Sequence, residues 1–244
     1  MHLFTGSNGL SVGEDAVLEN EEPRPGYSWI TMAEILQAAN ITWKVYQQYD
    51  NFDDNAFAWF ESFQSSRPGD ILFDQGMARS INVIDDFRKD LKMNNLPQVS
   101  WIVAPTERSE HATNHPAAGE DFTSQLLQAL KENPDVYAST VFILDYDEGG
   151  QFFDHAFTPT VPLNSSDGIS TVSLNGEINT NVLTTEAAQI GLGFRVPLLI
   201  VSPWTRGNLV YSQVLDHTSI IKFLEVKFSV HCPNISPWRY YQLL

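Results

Sequence analysis

The stretch Thr140-Val141-Phe142-Ile143-Leu144-Asp145-Tyr146-Asp147-Glu148-Gly149-Gly150-Gln151-Phe152-Phe153-Asp154-His155 decides the fold class. Its first five residues are short, β-branched and aromatic. That is the pattern of a buried parallel strand, whose carboxyl end delivers Asp147 and Glu148. Open α/β sheets bind their ligands at such strand ends. Two adjacent carboxylates, a Gly-Gly turn that lets the backbone approach a ligand, and the pair Asp154-His155 suit a hard cation holding a phosphoryl group. The spacing by itself equally fits a strand-end turn carrying solvated acids.

Working outward, apolar runs at 41–47, 99–104 and 196–202 repeat the strand pattern. Helical patterns lie between them. Residues 31–39 have good helix propensity, 54–63 gather Phe57, Trp59 and Phe60 near one face, and 81–91 repeat apolar residues at intervals of three and four. Residues 118–130 and 217–228 complete the set. This alternation implies an α/β domain with a mostly parallel sheet and helices on both faces. Residues 164–187 break the pattern with Ser, Thr, Asn and Gly, and read as a loop or small hairpin near the site.

Composition excludes several classes. With 244 residues and 43% hydrophobic content the chain suits a single sizeable domain, 1–244, or is a little short for a large α/β one, of which it would be a part. No apolar run approaches the roughly 18 residues of a membrane-spanning helix, and residues 1–10 show no signal-peptide pattern. The single Cys232 excludes an internal disulfide framework. A formal charge of −16 argues against nucleic acid as a partner and against anionic membranes. It leaves open a zwitterionic headgroup or a small phosphate ester, because local charge can oppose the global sign. Oligomeric state is not legible.

The block Asp147-Glu148-Gly149-Gly150 with Phe153-Asp154-His155 resembles the signature of the bacterial and fungal phosphoesterases, a family that includes phosphocholine-type phospholipases C and acid phosphatases. Further pieces occur in the family's order. They are Trp43 to Gln47, Asn51-Phe52-Asp53-Asp54-Asn55, Trp59-Phe60, Ser109-Glu110-His111, Arg195-Val196-Pro197 through Ser202-Pro203-Trp204, Asp216-His217-Thr218-Ser219-Ile220, and Asn234 to Arg239. The resemblance implies an alkaline-phosphatase-like three-layer sandwich and metal-assisted hydrolysis of a phosphate ester. The substrate it favours is a phosphatidylcholine-type lipid; a phosphomonoester is the enzymatic alternative. It also implies a secreted or periplasmic setting.

The resemblance carries over residue by residue. Thr5, in Leu3-Phe4-Thr5-Gly6, matches the metal-bound hydroxyl that receives the phosphoryl group, where a strand followed by a glycine turn would expose it; a plain turn or cap threonine is the other reading. Asp147 matches a ligand of a divalent metal ion, with Glu148 as second ligand or nearby base. His111 matches the imidazole that bonds the phosphoryl group or protonates the leaving alkoxide, with His115 close by as the other candidate. Asp154 and His155 would orient the ligands from outside them, or His155 would contact phosphate directly as a catalytic residue. In phospholipases of this type the aromatic helix borders the substrate entrance, which would make Trp59 a substrate-binding residue in contact with the headgroup. Asp216 reads as a helix N-cap, and residues 51–55 as a turn capping the aromatic helix. In the family a strand ending in a Glu-Asn pair precedes the nucleophile, whereas Glu19-Asn20 here follows Thr5. The resemblance thus implies a sheet lacking its first strand and two ligands, which makes a catalytically silent relative a further alternative.

Overall fold

The computed structural model describes residues 1–150, 152–180 and 187–242. In chain order it runs α1 (His2–Thr5), α2 (Met32–Ala38), β1 (Trp43–Tyr46), α3 (Glu61–Ser65), α4 (Val83–Lys92), β2 (Val99–Ile102), α5 (Pro116–Lys131), α6 (Pro134–Tyr137) and β3 (Phe142–Asp145). Then follow β4 (Ile178–Asn179), β5 (Ala188–Gln189), β6 (Leu198–Val201), α7 (His217–Phe228) and α8 (Pro237–Gln242). The mixed helix and strand content is that of an α/β fold.

Local chemistry explains where the helices start. Thr31 opens α2 with a capping box: its hydroxyl accepts from the Glu34 amide, while Glu34 Oε2 accepts from the Thr31 amide at 2.9 Å. Asn82 caps α4 by accepting from the amides of Ile84 and Asp85. Pro116 begins α5, where its missing N–H costs nothing, behind His115, whose Nδ1 accepts from Ala117 N. The expected helix at 54–63 is instead two pieces. A 3₁₀ turn at Ala56–Trp59, capped by Asn55, gives way at Phe60, whose ψ of 138° is extended, before α3 begins. The break lets Phe57, Phe60 and Phe63 all turn inward, each at most 1% exposed.

Alternation along β1 divides the interior. Trp43 and Val45 join Met32, Leu36, Phe57, Phe60, Phe63, Ile221 and Ile235 in one core cluster. Tyr46, on the opposite face, joins Val83, Ile84, Phe87, Leu91, Phe122, Leu126 and Leu130 in the other.

Strand pairing departs from the expected continuous parallel sheet. β1 and β2 pair parallel, Trp43 opposite Val99 through Tyr46 opposite Ile102. β3 pairs antiparallel with β6, and β4 antiparallel with β5, so among the described residues there are three two-stranded ladders. β3 is therefore neither parallel to its partner nor fully buried. Its residues are half-buried, because β6 covers one edge and the other faces a cleft. Part of the loop expected at 164–187 pairs as β4, while 181–186 and Gln151 lie outside the described residues. No helix of the described residues is long and apolar enough to cross a membrane.

Candidate active-site cleft

A cleft of about 750 Å³ opens where β2 and β3 end. Ile102, Val103 and Ala104 form one wall, and Phe142, Leu144, Asp145, Tyr146 and Asp147 the other. Phe122 and Leu126 of α5 line it from beneath the strands' apolar faces. His2, Asp54, Trp59, Glu110, Asn179, Gln189 and His217 complete the lining. Asp145 ends β3 and Asp147 lies two residues beyond it in a bend, and both line the cleft.

The cleft is acidic at its head. Asp145 Oδ2 is buried without a hydrogen-bond partner among the described residues, 3.6 Å from His217 Nε2. Burial raises the Asp145 carboxyl, His217 draws it back, and the charges of Asp147 and Asp216 raise it again. Asp54, at the rim, has its carboxyl pushed up to about 7 by withdrawal from water and by the charges of Asp147 and Asp53. His217 stands at the first position of α7, and its Nε2–H donates to the Tyr146 carbonyl at 3.0 Å. Burial, with Arg239, the chain's amino terminus and His217 nearby, holds the His2 imidazole well below its ordinary pKa, and so neutral.

The sequence-predicted residues divide sharply. Asp147 lines the cleft, as does Trp59, whose ring stands 6.4 Å from that of Tyr27. Thr5 does not. It ends α1 rather than a strand, it is fully buried, and its hydroxyl donates to Ser7 O at 3.0 Å. The expected exposure of that hydroxyl is therefore corrected: Gly6, at φ +78°, turns the backbone back over it. Glu148 is exposed and is not among the lining residues; its amide instead donates to Asp147 Oδ1 at 2.9 Å. The ligand set of Asp147, Glu148 and Thr5 thus does not converge.

Asp154 and His155 also stand apart from the lining. Asp154 forms a two-pronged pair with Arg195, Nε at 2.5 Å and Nη2 at 2.9 Å, which holds its carboxyl far below the usual range. His155 is 91% exposed in its side chain. His111 pairs its Nδ1 with Thr113 Oγ1 and packs on Phe52, so Ser109 and Glu110 reach the cleft while it does not. His115 is spent as the α5 cap. Conversely Asp54, Asp145 and His217, contained in the quoted stretches but assigned no site role, line the cleft. The nearness of Asp145 to Asp147 in the chain was readable; the cross-chain approach of Asp54 and His217 was not.

Whether these residues suit a divalent metal ion follows from their donors. The hard oxygens of Asp145 and Asp147 suit such a cation, and the orphaned Asp145 Oδ2 together with the raised carboxyls marks a place deficient in positive charge. Yet among the described residues no group of three or more His, Cys, Asp or Glu side chains is placed to hold one.

A family model described as "Phosphoesterase family" matches residues 1–231. The chain belongs to the phosphoesterase family. Among its relatives, a non-hemolytic phospholipase C of Burkholderia pseudomallei is 39% identical over 97% of this chain and 37% of its own length. A hemolytic phospholipase C of Pseudomonas aeruginosa is 43% identical over 86% of the chain and 31% of its own length. Phospholipase C A of Mycobacterium tuberculosis is 35% identical over 95% and 45% respectively. The phosphoesterase chain thus spans well under half the length of these relatives.

Proposed function

We propose that this phosphoesterase chain contributes the acidic half of an active site that hydrolyses phosphate esters, with phosphatidylcholine-type lipids as the favoured substrate class. The observation that carries the reading is the convergence of Asp145, Asp147 and Asp54 in one cleft at the end of β3, in a chain alignable over most of its length with proteins named phospholipase C. Asp147 and Asp145 would hold a divalent cation. Bound there, such a cation would offset the charge of a phosphoryl group and polarise it.

The chain's own side chains then have distinct tasks. Asp54, withdrawn from water at the rim of the cleft, is placed to exchange a proton with a leaving oxygen. His217, fixed through Nε2–H on Tyr146 O, presents its edge toward Asp145 and steadies that carboxylate. Trp59 supplies an aromatic surface at the lining, suited to a quaternary ammonium headgroup. Thr5 is not assigned the nucleophile's role, since its hydroxyl is turned into the α1 turn.

The same reading includes the fold. The edges of β2 and β3 across the cleft, neither of them paired on that side among the described residues, support one alkaline-phosphatase-like domain over 1–244, in which an intervening strand would join the β1–β2 and β3–β6 ladders.

The test is turnover of p-nitrophenylphosphorylcholine beside p-nitrophenyl phosphate, with and without chelator, for wild type and Asp147→Ala. Chelator-sensitive diester turnover that falls at least about a hundredfold in Asp147→Ala is the expected result. Turnover of the monoester alone would move the assignment to a phosphatase. Turnover indifferent to both chelator and Asp147 would end it.

A further inference from the structure

The motif Ser236-Pro237-Trp238-Arg239 plays no part in the cleft chemistry above, and yet it carries a buried charge whose three guanidinium nitrogens are all bonded. Arg239 is 3% exposed. Its Nε donates to Glu177 Oε1 at 2.8 Å, its Nη1 to Asp216 Oδ2 at 2.5 Å, and its Nη2 to both Glu177 Oε2 at 3.2 Å and the Gly191 carbonyl at 2.7 Å. Glu177 is itself 1% exposed, and Ser236 Oγ donates to its Oε1 at 2.5 Å. A lysine could not span these acceptors, because a planar fork with five donors is needed to bridge two carboxylates and a carbonyl at once.

Each acceptor belongs to a different part of the cleft's frame. Asp216 uses its other oxygen, Oδ1, to accept from Thr218 N at 3.0 Å and Thr218 Oγ1 at 2.6 Å, so that it caps α7 at the turn that carries His217. Glu177 immediately precedes β4, and its carbonyl accepts from Ile190 N at 2.9 Å at the end of β5. That pair supplies Asn179, Ala188, Gln189 and Ile190 to the cleft wall. Gly191 follows directly.

We propose that Arg239 is a positioning residue for the cleft, one buried guanidinium that locks together the first turn of α7, with His217 on it, and the β4–β5 wall. The proposal rests on the reading of this cleft as the site of phosphoester hydrolysis, but it makes a claim of its own: two elements distant in sequence open as one unit.

That claim is testable in the wild-type chain by native-state hydrogen exchange. The amides of Thr218 and Ile190 are expected to exchange through a single opening, with the same denaturant dependence. In Arg239→Lys both lose protection together, by about tenfold or more, while amides of α4 keep theirs. At one fixed pH, the ¹⁵N resonance of His217 Nε2 moves from the protonated-nitrogen position toward a tautomer average, a change that loss of stability alone would not produce in the folded state. Should Arg239→Lys not fold, Glu177→Gln serves in its place. It keeps the side chain's shape and removes the charge that holds the fork.

Separate openings for Thr218 and Ile190 in wild type, or a His217 resonance unchanged in a folded variant, would overturn the lock. None of these readouts requires turnover. Failure of the lock therefore leaves the hydrolase reading standing, and failure of the turnover test leaves the lock standing.

Discussion

At the scale of single residues, Thr5 shows how a motif match and a geometry can part. Its hydroxyl donates to Ser7 O and accepts from Ser7 N at 3.3 Å, all in a buried turn. Thr5→Val is therefore expected to lower unfolding free energy by about 1–2 kcal/mol, measured by urea titration, with turnover per folded molecule unchanged. A collapse of turnover at wild-type stability would reinstate the hydroxyl as the reacting group. Cys232 makes a second residue-scale case. It is 1% exposed, its Sγ–H donates to Thr5 O, and burial pushes the thiol up to about 11. A disulfide reagent such as Ellman's should find it silent in the native chain and stoichiometric in urea. Fast native labelling would show that the α1–α7 packing opens readily.

At the scale of elements, caps and ion pairs set the stability of the helices around β1. Removing the Thr31 hydroxyl of the α2 capping box, by Thr31→Ala, should cost about 1 kcal/mol in chemical unfolding; a neutral result would mean that packing of Met32 and Leu36 alone holds α2. Asp90 on α4 accepts from Lys44 Nζ at 2.8 Å and from Tyr46 Oη at 2.7 Å. Burial alone would raise its carboxyl, but those two bonds, the Lys44 charge and a hydrogen bond from Asn95 together outweigh it and leave the folded value lowered. The sign follows from that direction. The stabilisation is fully present above the unfolded value of about 3.9 and is lost as pH falls through the lower folded value. The stability gap between wild type and Asp90→Asn should hold constant from neutral pH to about 4 and shrink below it. A gap that already narrows between pH 7 and 5 would place the linkage elsewhere.

Legibility from sequence followed the range of the interactions. Periodicity and caps are local, so α2, α4, α5 and α7 fell where the patterns put them, α7 at 217–228 with Asp216 as its cap. The break at Phe60 was not legible, because it answers to the core that receives Phe57 and Phe63 rather than to any local breaker. In the site, Asp147 was readable as a strand-end carboxylate. Glu148 was misleading because the strand ends at Asp145, and in the bend that follows Glu148 is turned to solvent while its amide donates to Asp147 Oδ1. Asp154 and Arg195, matched as separate motif pieces, prove to be partners of each other, a pairing across 41 residues that spacing does not encode.

At the scale of the whole molecule, the distribution of apolar surface is uneven. Leu198, Leu199 and Ile200 of β6 are 36%, 50% and 44% exposed, and because successive residues point to opposite sides, both faces of that strand are bare. Phe153 and Phe157 are more exposed still. A continuous apolar strand ordinarily has cover on both faces. The isolated chain is therefore expected to bind an apolar dye such as ANS and to self-associate with rising concentration in sedimentation velocity, both relieved by Leu199→Lys with Ile200→Lys. A monodisperse chain that ignores the dye would show that these faces are tolerated in water.

The contact between Tyr146 and Glu110 reaches further than its single hydrogen bond of 2.8 Å. Glu110, itself at φ +61°, lays its side chain directly against Gly119 of α5, where an added methyl group would collide with its Cγ and carboxylate. Tyr146 in turn offers the carbonyl on which His217 rests. The clearance of one hydrogen atom on α5 thus acts as a spacer gauge for the cleft. A methyl group introduced by Gly119→Ala would press first on the Glu110 side chain that bonds Tyr146, the residue whose carbonyl meets an imidazole 98 positions further along the chain (217 − 119).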